Sequence, residues 1–377
     1  MIIRSLRLEN FRNFTDETFS FVPQINILAG NNAQGKTNAI EAIYFCSCLK
    51  SYRVFKEEQL IRFGAQSAAI TLDFEVDGRQ EQLKILFQKD RPKEFRYNGL
   101  AVSRLRDLLG CFQSVIFTPD HLNMIKEGPH KRRAFLDMAL CSLDLKYTDQ
   151  LLNYQKILKN RNALLRQCKE SPQNAEMLFV WDEKLARAGA YIAKARQEYL
   201  AALSEFAKGF YSQIASQQEK LKLIYLNAFT KDPVEEEEYY RLFLARLERM
   251  RETDIAMGQT VSGIHKDDIL ILLSGKSMKF FASQGQIRSA VLAIKLAEAE
   301  CVTQKTGTQP VLLLDDILSE LDARRQKFIF ERMAGRQTIL STCELGKIRY
   351  KGNRIFTIKD GKVVRIRVPA SRAGSAH

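Results

Sequence analysis

Gly30-Asn31-Asn32-Ala33-Gln34-Gly35-Lys36-Thr37 has the spacing G-x-x-x-x-G-K-[ST], and no other stretch restricts so tightly what this chain can fold into. A backbone that wraps phosphate oxygens must aim several N–H groups inward, and glycine reaches the necessary dihedrals without a Cβ clash. On that basis Gly30, Asn31, Asn32, Ala33, Gln34 and Gly35 are expected to cradle the phosphates of ATP, with Lys36 supplying a cation to the β- and γ-phosphates. Thr37 is expected to place its hydroxyl on Mg²⁺, and the helix that opens there, Asn38 included, turns its positive end toward the same charge. The flanks agree. Ile25–Ala29 reads as a short buried strand, and Ile40, Ile43 and Tyr44 recur at helical spacing.

The 377 residues suffice for two or three domains. Lys and Arg number 58 against 44 acids, a net charge of +14, which suits a polyanionic partner or a generally basic surface. No apolar run reaches the roughly 18 residues of a membrane helix, and Arg4 and Arg7 interrupt any signal-peptide pattern. Seven scattered cysteines without paired C-x-x-C spacing read as reduced residues of a cytoplasmic protein with no membrane association. His121, His130, His265 and His377 are too dispersed to suggest a zinc centre.

Residues 1–125 read as an N-terminal lobe. Asn10-Phe11-Arg12-Asn13-Phe14 follows the first strand, and Arg12 is either a surface cation beside packed aromatics or a contact to the bound phosphates. Past Lys50-Ser51-Tyr52-Arg53, alternating strands turn at Asp77-Gly78 and Asn98-Gly99. Ser103 is expected to cap a short helix ending at Gly110, and Val115–Phe117 is a strand. Residues 126–252 read as a helical arm. Gly128-Pro129 opens a helix whose first turn carries Lys131, Arg132 and Arg133, opposing the helix dipole, so a DNA or nucleotide phosphate or an acid-paired cluster is expected there. An apolar seam from Leu178 to Phe210 predicts a helix over 176–219, roughly 65 Å long at 1.5 Å per residue, packed on the helix around 147–169. Residues 253–369 read as a C-terminal lobe, with Ile269–Leu273 and Met278–Phe281 flanking a turn, and 370–377 as a disordered tail.

A phosphate loop needs a carboxylate for Mg²⁺ and a group that positions the attacking water. Val311-Leu312-Leu313-Leu314-Asp315-Asp316 ends an apolar strand in two carboxylates, so Asp315 is expected to take the first role and Asp316 the second. Ser283-Gln284-Gly285-Gln286 alone is compatible with an ordinary helix start. Its place between phosphate loop and carboxylate strand sets it apart from an ordinary helix start, and its resemblance to the signature of ATP-binding-cassette heads implies that it closes on the γ-phosphate held by a second copy. Gln113 is a candidate for a further magnesium ligand.

This order matches ATP-binding-cassette heads, including SMC-like ATPases. Segments 8–14, 30–37, 50–53, 117–120 through 132–137, 158–162, 263–268, 283–288 and 312–322 together resemble the RecF family of bacterial recombination and gap-repair proteins. Tyr52 stands where that family usually shows His, and Ile264 and Lys266 replace its usual Pro and Arg. The resemblance implies an α/β, ABC-type P-loop ATPase head, a mixed sheet with an antiparallel β subdomain, carrying an inserted α-helical arm domain. It also implies an ATP-dependent homodimer that binds double-stranded DNA and ss/ds junctions, hydrolyses ATP slowly, and assists RecA loading with RecO and RecR. The alternative is the ATP-hydrolysing subunit of an ABC transporter. Against it stand the helical insert, the basic charge, and Ser341-Thr342 where such subunits generally carry a histidine. A metabolic P-loop kinase has no use for the Ser283–Gln286 pattern.

Overall fold

The computed structural model describes residues 1–54, 56–215, 218–230, 232–347 and 354–368; the expected tail at 370–377 lies outside them. The first part of the chain forms β1 (Ile2–Glu9), β2 (Asp16–Ser20), β3 (Ile25–Ala29), α1 (Lys36–Cys48), β4 (Ser67–Val76), β5 (Arg79–Gln88), β6 (Arg91–Tyr97), β7 (Leu100–Val102) and β8 (Ser114–Phe117). Then come α2 (Asn123–Lys126), α3 (Pro129–Leu143), α4 (Leu145–Glu170), α5 (Leu178–Ile214), β9 (Leu221–Leu226), α6 (Glu236–Arg249), α7 (Arg251–Met257), β10 (Asp268–Leu273), β11 (Lys276–Ser277), α8 (Met278–Phe281) and α9 (Gln284–Thr306). The chain ends with β12 (Val311–Asp315), α10 (Ala323–Met333), β13 (Thr338–Thr342), β14 (Arg354–Lys359) and β15 (Lys362–Arg367). Two compact units result, Met1–His121 with Glu298–His377, and Leu122–Ala297.

The first unit contains two sheets. One is antiparallel in the order β2-β1-β4-β5-β6-β7, and its hairpins turn where expected, at Asp77-Gly78 and Asn98-Gly99. All four turn residues have positive φ, the geometry that two-residue hairpins require. The other sheet has the order β15-β14-β3-β13-β12-β8, parallel except for the edge strand β15. Every residue of β3, β12 and β13 is buried, which explains their uninterrupted apolar runs. Gln337, 3% exposed, joins the sheets by accepting from the Ile3 N–H at 2.6 Å and donating to the Ile3 carbonyl at 2.8 Å.

The second unit packs α4, α6 and β9 around α5. The seam reading holds, since Leu178, Leu185, Ala188, Ile192, Tyr199, Leu203 and Phe210 are buried. The helix is shorter than the expected 176–219, because a 3₁₀ turn at Pro172–Met177 precedes it and the regular helix ends at Ile214. The interior is also more polar than the stripe suggests. Arg161 of α4, fully buried, donates to Asp182 of α5 at 2.6 Å and to Asp254 of α7 at 2.7 Å. Arg196 donates to Asp137 at 2.7 Å and to the Ile264 carbonyl at 2.8 Å.

Three expectations are corrected here. The structure does not divide at 252, since β9 pairs antiparallel with β10 along its whole length and α3 packs on β10, so residues 253–297 belong with the helical unit. Met278–Phe281 is one helical turn rather than a strand, and the pairing stops at Ser277. The segment after Ser103 forms a single 3₁₀ turn, Leu105–Leu108, without a side-chain cap.

Arg161→Met should destabilise the helical unit by about 3–5 kcal/mol, because it leaves Asp254 buried without its cation and Asp182 with Arg251 alone. Urea denaturation followed by Trp181, the one tryptophan and a residue of α5, measures this directly. A second prediction concerns His265, whose Nδ1 meets the Tyr154 hydroxyl at 2.8 Å and whose Nε2 meets the Thr260 carbonyl at 3.1 Å. Burial lowers its pKa to about 4, against a hydrogen bond to Thr260 that raises it. A base held neutral in the folded chain contributes stability above pH ~6.5 that is lost as pH falls toward about 4. His265→Gln should therefore show a shallower fall in urea midpoint across that window than the parent.

Candidate functional site

Parallel strands deliver the site by aligning their C-terminal ends, where open α/β sheets gather ligand-binding groups. The phosphate loop leaves β3, Asp315 ends β12, and β13 lies between them with Ser341 in register with Leu28 and Asp315. Thr37 Oγ1 donates to Asp315 Oδ1 at 2.9 Å, and Ser341 Oγ donates to the same oxygen at 2.7 Å. Two residues distant in sequence from Asp315, and from each other, thus meet on one carboxylate oxygen. Asp316, in the left-handed region at φ 51°, donates its N–H to Ser341 Oγ at 3.0 Å. Its carboxyl pKa is raised by partial burial first and by Asp315 second, with Lys36 opposing.

The loop is braced from outside. Gly30 has φ 155°, and a Cβ there would meet the Ile358 carbonyl at 2.3 Å; at Gly35, with φ 114°, it would meet Asn13 and Phe14 at under 3 Å. Both glycines are therefore required by close approach as well as by dihedral. Asn13 donates to the Gln34 carbonyl at 2.9 Å and accepts from Asn38 at 2.8 Å, while Asp360 of the β14–β15 turn donates to Gln34 Oε1 at 2.5 Å. Asn31, Asn32 and Ala33 are exposed at the tip. Lys36, 6% exposed, donates to the Gly30 and Asn31 carbonyls, each at 2.7 Å.

Arg12, also at positive φ, forms a bidentate pair with Glu41 at 3.0 and 2.9 Å and donates to the Gln59 carbonyl at 3.0 Å. It lines a cavity of about 660 Å³ together with Asn13, Asn38, Ile61, Arg62 and Phe63. That volume lies within the ~300–1,000 Å³ of small-molecule sites. Gln113 is corrected as a magnesium-ligand candidate. It precedes β8, so it lies at the N-terminal end of the strands, with its carbonyl accepting from Val311, opposite the end that carries Asp315.

In the second unit, Ser283 and Gln286 form a reciprocal cap at the start of α9. The Ser283 N–H donates to Gln286 Oε1 at 2.8 Å and the Gln286 N–H donates to Ser283 Oγ at 3.3 Å. Ser283 and Gln284 are exposed, Gly285 and Gln286 half-buried. The basic turn of α3 divides. Lys131 is exposed, 3.8 Å from Glu127, whereas Arg133 is half-buried and donates to the Asp267 carbonyl at 2.6 Å. Arg132 is not available to DNA. It is 5% exposed, paired with Asp268 at 2.5 Å, and donates to the Met124 and Glu127 carbonyls. These internal acceptors offset the unfavourable helix end, and no pattern of the local sequence disclosed them.

Sequence reasoning missed Ser341, Glu41 and Asn13 as parts of the site. Ser341 stands where transporter subunits generally carry a histidine, and a glutamate inside an apolar helix face is the available signal for Glu41. Among the described residues no group of three or more His, Cys, Asp or Glu is placed to hold a metal ion. Thr37 and Asp315 nevertheless fit Mg²⁺, because their hard oxygens lie 2.9 Å apart at the loop mouth and this ion takes few protein ligands beside substrate phosphates.

The family model described as the RecF/RecN/SMC N terminal domain matches residues 2–350. A DNA replication and repair protein RecF from Lachnoclostridium phytofermentans is 37% identical over 364 residues, covering 97% of this chain and 98% of that protein. A solved structure of the recombination mediator protein RecF-ATP in the RecFOR pathway superposes with TM-score 0.90 at 34% identity, covering 98% of each chain. An Smc head domain from Pyrococcus furiosus, with an extended coiled coil, gives TM-score 0.57 at 17% identity over 97% of this chain and 96% of that one, a likeness of fold. The architecture is that of an ABC-type ATPase head.

Ser341→Ala should remove one of the two donors to Asp315 Oδ1 and leave the Asp316 N–H without its acceptor. A stability loss of about 1–3 kcal/mol in urea titration is expected. Unchanged stability would show that the bridge across β13 contributes nothing.

Proposed function

This chain belongs to the RecF family, and from that membership we propose that it is an ATP-dependent DNA-binding protein of recombinational repair. The observation that carries the reading is the convergence of Thr37 and Ser341 on Asp315 beside the phosphate loop. Loop N–H groups and Lys36 bind the phosphates, and Thr37 with Asp315 would hold Mg²⁺, which would neutralise charge on the transferring phosphoryl group. Asp316, next to Asp315 and fixed by its N–H on Ser341 Oγ, orients the attacking water. It is a methylene shorter than the glutamate many cassette ATPases use there, which supports slow turnover.

The exposed Ser283 and Gln284 complete the site of a second copy, so that ATP joins two chains in a two-fold dimer. Two basic chains closing together make a bivalent grip on double-stranded DNA or an ss/ds junction, released on hydrolysis. RecO and RecR are the partners in assisting RecA loading. Similarity to RecF over nearly the whole chain supports this reading above the transporter-subunit alternative. Among the described residues no helix is long and apolar enough to cross a membrane. Of the basic turn, Lys131 remains the candidate for DNA contact.

Light scattering should show dimers with ATP and monomers with ADP or without nucleotide, and the parent's DNA affinity should follow the same order. Asp316→Asn should keep ATP-dependent dimers and DNA retention while hydrolysis falls at least about tenfold. Lys131→Ala should lower the salt slope of DNA binding by up to roughly 0.9. A strict monomer at saturating ATP, or hydrolysis intact in Asp316→Asn, rejects the scheme.

A further inference from the structure

Two arginines beside the phosphate loop, Arg12 and Arg53, share the carboxylate of Glu41. It lies on α1, five residues after Lys36, and is fully buried. It accepts from Arg12 Nε at 3.0 Å and Nη2 at 2.9 Å, from Arg53 Nη1 at 3.2 Å, and from Ser51 Oγ at 2.6 Å. Among the described residues neither guanidinium is ion-paired with a second carboxylate. Two positive charges therefore face one negative charge, and one cation's worth of attraction is left over.

The third donor of Arg12, Nη1, goes to the Gln59 carbonyl at 3.0 Å, whereas Arg53 reaches the loop's own framework. Arg53 also donates to Asn38 Oδ1 at 2.9 Å, and Asn38 in turn donates to Asn13, which holds the Gln34 carbonyl. Arg12 lines the cavity that Asn13 and Asn38 also line, and its side chain is 17% exposed against 38% for Arg53. A buried carboxylate with every contact charge-assisted or hydroxyl-donated is a costly element unless it fixes something. What it fixes is the direction of two guanidinium groups.

We infer that Glu41 is a positioning residue that aims Arg12 and Arg53 at the anionic part of the bound nucleotide, the surplus charge of the trio being neutralised by phosphate. This deepens the ATP reading and rests on it. The alternative is that Glu41 is a buried counter-charge with no part in binding, and the two accounts differ in sign. Removing a negative charge close to the site should tighten the binding of a polyanion through Coulomb attraction alone. Losing the aim of two arginines should weaken it.

The test is a titration of the full chain with a fluorescent ATP analogue and Mg²⁺, with Lys36→Ala as reference. Glu41→Gln, nearly isosteric and uncharged, should bind about tenfold more weakly, the scale on which groups that hold a ligating side chain in place act elsewhere. Arg12→Ala and Arg53→Ala should each weaken binding, and Glu41→Gln should add little in the Arg12→Ala/Arg53→Ala background, because contacts within one network are not additive. Equal or tighter binding by Glu41→Gln, or losses that simply add, overturns the inference. Should Glu41→Gln fail to fold, parental affinity in both arginine variants overturns it as well. A parent that binds no ATP removes the ATP reading itself, whereas binding that is lost in Lys36→Ala yet indifferent to Glu41 removes the role of Glu41 alone.

Discussion

One carboxylate oxygen, Asp315 Oδ1, receives hydroxyl donors from Thr37 and Ser341, and the rest of the head is arranged so that this can happen. Asp315 and Ser341 come from the adjacent parallel strands β12 and β13, and Thr37 from the first turn of the helix that follows β3, their neighbour. Parallel pairing in fixed register is what brings their ends level. A shift of one residue in β12 would turn Asp315 to the opposite face of the sheet, since side chains alternate along a strand. The complete burial of β3, β12 and β13 makes such a slip expensive, because each strand would have to exchange apolar contacts on both faces.

Around this point the site is held by polar clamps rather than by apolar packing. Asn13 and the β14–β15 turn grip Gln34 from two sides, and Glu41 grips Arg12 and Arg53. A loop that must change its partners when phosphate enters needs a stiff surround, and charge-assisted bonds in a low-dielectric setting supply stiffness with direction. The helical unit uses the same device for a different purpose. Arg161 and Arg196 are buried among carboxylates contributed by several elements, so they fix how α4, α5 and α7 and the 264–267 turn meet. Arg161 of segment 158–162 and Ile264 and Asp267 of segment 263–268, both part of the RecF resemblance, are thus interior fittings of that unit.

Local pattern carried the phosphate loop, the strand–loop–helix context, the hairpins at Asp77-Gly78 and Asn98-Gly99, the long seam of α5 and the carboxylates closing β12. Each of these depends on neighbours within a few residues: glycine where φ must be positive, alternation or a three-to-four spacing where one face is buried. The family could be recognised for the same reason, as its motifs are short and occur in a fixed order. Folding in three dimensions alone decided that Ser341 bridges Asp315 and Asp316, that Glu41 lies under two arginines, that Arg132 turns inward to Asp268, that Gln113 lies at the wrong end of its strand, and that residues 253–297 join the helical unit. These facts depend on strand order and on pairs far apart in the chain, and a charged residue's partner is set by which elements pack beside it, a quantity that no spacing along the sequence encodes.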